Sequence, residues 1–368
     1  MSTVDRSAGE NAGFAAFLAV KRFGSLDGLR CLSILAVLWH HGGIHVDFPL
    51  FSRGQLGVHL FFAISGFLIT SLMIRERNKF GQIDLRQFYV RRSLRIFPLY
   101  YAVLLVYVAV VGLLERDTVY GREFFKNLPA FATYTSNWFV NIEAGERVIF
   151  YYAWSLAAEE QFYLTWPWLE RYLRPIPKFT VLVSMILIVL ANRLGLLLWA
   201  FPDDTLGHRI LWGVAPCILL GVLCAHIVHC AKGFEIAKAT LGRVWSAPMM
   251  LLAVITFASI GFANQAWQFV IYLSLVGLVM ACTIREDNGL AKLLRLRLIV
   301  RIGVVSYGIY LMHMLCFNAV RKIAGVLGVL NPWLLWIMGI VLVYLVAELS
   351  FHTFERFFQN LKSRYARS

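Results

Sequence analysis

Arg30 and His41 lie eleven positions apart in the stretch LDGLRCLSILAVLWHHGG, residues 26–43. On an α-helix eleven residues turn the chain through about 1100°, only about 20° from whole turns. The two side chains therefore share one face, roughly 16 Å apart along the axis, and His40 points elsewhere. The stretch is apolar enough to enter a membrane, yet it carries Asp27, Arg30, His40 and His41. Ionisable groups are costly in hydrocarbon and mark sites or pathways. Imidazole is the side chain best suited to take a proton near neutral pH. Guanidinium suits bidentate binding of anionic oxygens.

A second anomaly is WSLAAEEQFYLTWPW, where Glu159 and Glu160 fall about one turn inside an apolar segment. A carboxylate there could orient His41 or bind a sugar hydroxyl. Interfacial exposure, or pairing with Arg193 or Arg209, would produce the same pattern. The segment RERNKFGQIDLRQFYVRRSLRIFPLYY places seven basic residues within 75–96, and Pro98 marks the entry to the next apolar span. Arg92 and Arg95, at i and i+3, can offer two forks to one phosphate. A basic cytoplasmic loop accounts for the same charge.

In GVHLFFAISGFLITSLMI, the small residues Gly57, Ser65 and Gly66 favour close helix approach, and His59 lies near the same membrane side as His41. Ser65 reads as packing more readily than as a nucleophile, because no G-x-S-x-G elbow is present. In IGVVSYGIYLMHML, Ser306, Tyr310 and His313 recur at i, i+4 and i+7, with Tyr307 alongside, and so line one face. That face serves either packing or a substrate. Asn192, Arg193 and Arg209 read as salt-bridge partners, and Glu348 as a snorkelling or paired charge.

The elements that must position these residues are membrane helices. The chain of 368 residues is 59% hydrophobic, with a mean hydropathy of +0.67, which excludes an ordinary soluble domain. Net charge of +14 suggests nucleic acid only in a soluble protein; here it fits basic cytoplasmic loops, and no nucleic-acid partner is expected. The six cysteines show no metal-ligand spacing, so no metal is expected. Asp5 and Glu10 make the N-terminus a poor signal peptide.

Apolar spans fall near 26–44, 56–74, 97–114, 154–172, 179–200, 208–230, 246–263, 266–284, 302–323 and 333–352. The expectation is an all-α, polytopic transmembrane helical bundle of about ten spans. It forms one membrane-embedded domain over 1–368, with cytoplasmic tails at 1–24 and 353–368. Lys and Arg gather in alternate connections. The others hold only Arg53, Arg116, Arg122, Lys126 and Arg147, which puts both termini in the cytoplasm. The outer segment 115–153, rich in aromatics, either packs over the bundle mouth against a substrate or anchors at the headgroups.

In these residues the chain resembles the acyltransferase-3 family of integral membrane O-acyltransferases. Its LDGLR, with ten residues before a histidine, resembles the family's Arg-x10-His signature and selects Arg30 and His41. GVHLFFAISGFLIT, RRSLRIFP, WSLAAEEQFYL and SYGIYLMH resemble further family motifs in the same order. Two departures stand out: His59 occupies a position where members often have Asp, and FERFF carries Phe357 where the family usually has Pro. Some relatives carry an added C-terminal esterase-like domain, for which a chain ending at Ser368 leaves no room.

The resemblance implies an acyl-CoA co-substrate, commonly acetyl-CoA, supplied from the cytoplasm, with no tightly bound cofactor. It implies a glycan or other hydroxylated acceptor (exopolysaccharide, O-antigen or oligosaccharide) and a bacterial inner membrane. Arg30, Arg92 and Arg95 would hold the donor. His41 would be the general base, assisted by Glu159 or Glu160, while His59, Ser65, Tyr310 and His313 would line the substrate path. The rival class is a glycan or lipid-intermediate transporter or flippase, which also needs intramembrane charge; the inverted repeats common in such proteins are not visible. The sequence sets no oligomeric state.

Overall fold

The computed structural model describes residues 12–44, 46, 48–141, 148–203, 205–260 and 264–365. Asp5, Glu10 and Arg147, used above, lie outside the described residues. In chain order the helices are α1 (Leu26–His41), α2 (Leu56–Phe80), α3 (Leu85–Leu114), α4 (Val119–Ala132), α5 (Ser136–Phe139), α6 (Ala153–Tyr172), α7 (Pro175–Arg193) and α8 (Leu206–Gly213). They continue as α9 (Pro216–Val228), α10 (Ala231–Leu241), α11 (Ser246–Ser259), α12 (Gln265–Ile284), α13 (Arg297–Val326), α14 (Pro332–Ser350) and α15 (Arg356–Ser363). A helical segment at 12–19 and single turns at Pro49–Ser52 and Ala291–Leu294 complete the helical set, with a π-helical turn at Phe351–Glu355. No strand occurs among the described residues.

Among the described residues six helices are long and apolar enough to cross a membrane: α2, α3, α7, α12, α13 and the run from Pro332 to Lys362. The pairs α8–α9 and α10–α11, bent by 47° and 71°, raise the number to eight if each is one span. The expected ten included two more. One is α1, with 16 residues, and the other is α6, which carries Glu159, Glu160, Glu170 and Arg171. These two are therefore set apart by length and charge, and both bear candidate site residues.

Pro98 lies inside the 30-residue helix α3, at the start of its apolar part, and the helix itself begins earlier. That start is set by Asp84, whose carboxylate accepts the Gln87 amide at 3.0 Å, a standard N-cap. The proline's missing donor is tolerated within a packed membrane helix. Arg86, Arg91, Arg92 and Arg95 consequently belong to the same continuous helix as the apolar residues that follow.

The chain forms two compact units, residues 1–83 with 216–344 and residues 84–215 with 345–368. In the first, α1 packs against α2 and α13, and α9 packs against α2 and α12. Small residues set the spacing. A Cβ at Gly66 would sit 2.1 Å from the Ile218 carbonyl oxygen, and one at Gly221 would sit 2.5 Å from that of Ala63. The two glycines thus admit each other's backbones between α2 and α9. Gly57 does the same against Ser33 O (2.2 Å), and Gly303 against Asp27 O (1.8 Å). The expected close-packing role of Gly57 and Gly66 is met, and Ser65 sits beside this seam, half-buried. A Gly66→Leu substitution should force α2 and α9 apart and cost about 1–3 kcal/mol or more, read as a lowered Tm in detergent; an unchanged Tm would refute the interlock.

The N-terminal segment is fastened to the same unit. Arg75 donates to the carbonyls of Val20 and Phe17, and its guanidinium lies 4.9 Å from the Phe23 ring centroid. In the second unit, α8 packs against α5 and α7, and α15 packs against α3. Arg91 ties the chain end down by donating to Tyr365 O at 2.9 Å.

Candidate active site

In the first unit α1 presents Arg30 and His41 as its phase requires. Arg30 donates to Asp27 Oδ1 at 3.0 Å, and Arg22 binds the other oxygen at 2.5 Å. Asp27 is buried, so one buried carboxylate holds two guanidinium groups near the start of α1. His40 is exposed, as its helical phase implied, and His41 is half-buried.

His41 meets α13. Its Nδ1 lies 2.8 Å from His313 Nε2, and the two rings stack with centroids 4.9 Å apart. His313 is fully buried, and its Nδ1 lies 2.5 Å from the Tyr310 carbonyl oxygen. A carbonyl can only accept, so Nδ1 of His313 carries the proton and its Nε2 is the acceptor when the ring is neutral. His41 must then donate from Nδ1, which makes Nε2 its basic nitrogen. The stripe of Ser306, Tyr310 and His313 is turned inward, all three side chains being buried. Arg321, which the sequence reading passed over, donates to His41 O at 3.0 Å. This fixes the end of α1 and places a positive charge close to the pair. His59 lies 3.3 Å from the Tyr272 hydroxyl.

The second unit brings together Arg92, Tyr163 and Glu160. The Arg92 guanidinium lies over the Tyr163 ring, 3.7 Å from its centroid, a cation–π contact. It is also close enough to act electrostatically on Glu160, as is Glu159. The two glutamates are half-buried. Arg193, expected in an ion pair, covers the Trp212 ring at 3.9 Å and donates to Trp212 O at 2.5 Å. Arg95 is exposed on α3.

One buried pair was missed altogether: Lys178 Nζ and Glu170 Oε1 are 2.6 Å apart, with side chains 4% and 0% exposed. The available signal was a glutamate and a lysine facing each other across the short RPIP turn that joins two apolar segments. Among the described residues no group of three or more His, Cys, Asp or Glu is arranged to hold a metal.

Apolar helices long enough to cross a bilayer, with ionisable groups set among them, make this a multi-pass membrane protein. The chain belongs to the acyltransferase-3 family, whose model, described as an acyltransferase domain, matches residues 23–350. It is 29% identical over 360 residues to the peptidoglycan O-acetyltransferase OatA of Listeria monocytogenes, covering 90% of this chain and 55% of that protein. It is 27% identical over 338 residues to a putative O-acetyltransferase of Staphylococcus aureus, covering 84% and 53%. With the putative peptidoglycan O-acetyltransferase YrhL of Bacillus subtilis it shares 26% identity over 354 residues, covering 90% and 54%. The chain thus spans about half the length of the curated relatives it matches. No solved structure matches it.

Proposed function

We propose that this protein is a membrane O-acetyltransferase that moves an acetyl group from cytoplasmic acetyl-CoA to a hydroxyl of a glycan. The observation that carries the reading is the hydrogen-bonded chain Tyr310 O, His313, His41, which leaves His41 Nε2 as a base held in one tautomer. His41 Nε2 takes the proton of the acceptor hydroxyl as that oxygen attacks the thioester carbonyl. The C–S bond breaks, and the CoA thiolate leaves and takes up the proton that His41 Nε2 had removed from the hydroxyl. The same base would serve transfer through a relayed acyl group. Family membership and the relatives' names support acyl transfer to oxygen, and two of those names make a peptidoglycan-type chain the first acceptor to test.

Arg30, beside the Asp27–Arg22 cluster, and Arg92 and Arg95 on α3 are assigned to the CoA phosphates. Glu159 and Glu160 are assigned to orienting the base or the acceptor. The topology proposed with these roles is ten spans, α1 and α6 included, with both termini cytoplasmic in a bacterial inner membrane.

The test uses purified protein in proteoliposomes with isotopically labelled acetyl-CoA and a peptidoglycan-type acceptor. Alkali-labile label on the glycan is expected. Glycan crossing the bilayer without label would favour a transporter instead. An Arg92→Ala/Arg95→Ala variant should bind CoA at least about tenfold more weakly, since a hydrogen bond to a charged group contributes about 1.5–3 kcal/mol. Unchanged CoA binding would remove both residues from the donor site.

A further inference from the structure

The second unit holds polar atoms that the reaction above does not use, carried by α8 and by α5 and α7, the two helices packed against it. On one side, a Cβ added to Gly213 would lie 2.7 Å from Asn137 Nδ2 and 3.1 Å from Trp138 Nε1, so α5 packs directly on the α8 backbone. On the other, the bond from Arg193 to Trp212 O joins α8 to the end of α7. His208, one turn before Trp212, stacks on its ring with centroids 5.5 Å apart. Asn137 and Gln161 exchange two carboxamide hydrogen bonds, of 3.0 and 2.8 Å.

Within this setting four side chains carry buried polar atoms with no hydrogen-bond partner among the described residues. They are Asn192 through both Oδ1 and Nδ2, Ser136 through Oγ, Trp138 through Nε1 and His208 through Nδ1. Asn192 and Ser136 are each 1% exposed. Buried polar atoms are nearly always paired, so several on helices packed against one another indicate positions that something else satisfies.

Their chemistry restricts what that is. Asn192 Nδ2 and Trp138 Nε1 donate, Asn192 Oδ1 accepts, and Ser136 Oγ does both. The Asp203 carboxylate, 3.5 Å from His208 Nε2, favours the proton on that nitrogen and leaves Nδ1 to accept. An anion would require donors alone, and a cation acceptors alone. A mixed, uncharged set matches hydroxyl and acetamide groups, each of which donates and accepts. The free carboxamide of Asn192 can pair with an acetamido group as Asn137 pairs with Gln161, and the Trp138 indole offers an apolar surface beside it.

We propose that Ser136, Trp138, Asn192 and His208 form a subsite for an N-acetylhexosamine unit of the acceptor glycan. The assignment rests on the glycan-acetylating reading above, whose topology puts the end of α7 and the start of α8 on the side away from the cytoplasm.

The experiment titrates full-length protein in nanodiscs with chitotetraose, a β-1,4-linked N-acetylglucosamine oligomer, in the absence of acetyl-CoA, and follows binding by calorimetry. Wild type should bind. Asn192→Leu, which keeps the shape and removes both polar atoms, should weaken binding about tenfold or more, one tenfold step being a single unsatisfied contact. In the acetylation assay it should raise the acceptor KM by a similar factor while leaving kcat and CoA affinity unchanged. Ser136→Ala provides a milder second variant should Asn192→Leu lower Tm sharply, and it should weaken binding in the same direction. Absence of chitotetraose binding by wild type, or wild-type affinity in both variants, would overturn the subsite. The two readings separate: binding that depends on Asn192 without acetyl ester formation rejects the enzyme reading alone. Ester formation with unchanged binding and KM in both variants rejects the subsite alone.

Discussion

His41→Ala should lower kcat for acetyl transfer by about 10²–10⁴-fold, the range that a positioned general base contributes, with CoA affinity near wild type. The size of the effect follows from the way the ring is held. His41 donates from Nδ1 to a histidine that is itself anchored to a backbone carbonyl, so the basic nitrogen is committed before substrate arrives. His313→Phe should therefore lower kcat as well, by about 10–100-fold, the scale on which the orienting partner of a metal-bound histidine acts. His313→Gln, whose carbonyl oxygen can accept the same proton, should recover part of the loss. A merely structural His313 would show no such order between Phe and Gln. A normally expressed His41→Ala protein that retained wild-type kcat would dismiss the base.

The second large effect concerns stability. Glu170 and Lys178 form an ion pair inside the second unit, 2.6 Å apart and shielded from solvent. It links α6 to α7 across the two-residue break at Leu173 and Arg174, beside Pro175 and Pro177 in the first turn of α7. Removing one partner strands the other charge in a poorly solvated site, which costs about 3–5 kcal/mol. Lys178→Met or Glu170→Leu alone should thus lower the unfolding free energy by that amount, measured by denaturant in detergent. The double replacement should recover most of it, because the pair itself contributes little beyond an apolar contact of similar volume. A double variant as damaged as either single would show that the pair is needed for more than mutual neutralisation.

The division between what the sequence disclosed and what it did not follows helix geometry. Phase within one helix was legible. The spacing from Arg30 to His41, the exclusion of His40 and the inward stripe of Ser306, Tyr310 and His313 all follow from 3.6 residues per turn. Adjacency between helices was not. Nothing in the spacing along the chain brings His41 to His313, 272 positions away, because that contact depends on how α1 and α13 pack. Glycine signalled the packing in part: Gly57 and Gly66 were read correctly, whereas Gly221 and Gly303 were passed over. Asn192 was noticed for its place in an apolar span but grouped with Arg193 and Arg209 as salt-bridge partners. The Arg193 contact with Trp212 and the isolation of the Asn192 carboxamide emerge only from tertiary structure.

The sixteen residues of α1 rise about 24 Å, against a hydrocarbon thickness of about 30 Å. In the topology proposed above, its far end would stop about 6 Å short of the opposite headgroups, with His41 at that end. The imidazole would then lie below the membrane surface, and an acceptor hydroxyl would have to be lowered to reach it while bulk water was held above. On that proposal the shortness of a helix would limit thioester hydrolysis, the side reaction that any activated hydroxyl must outcompete.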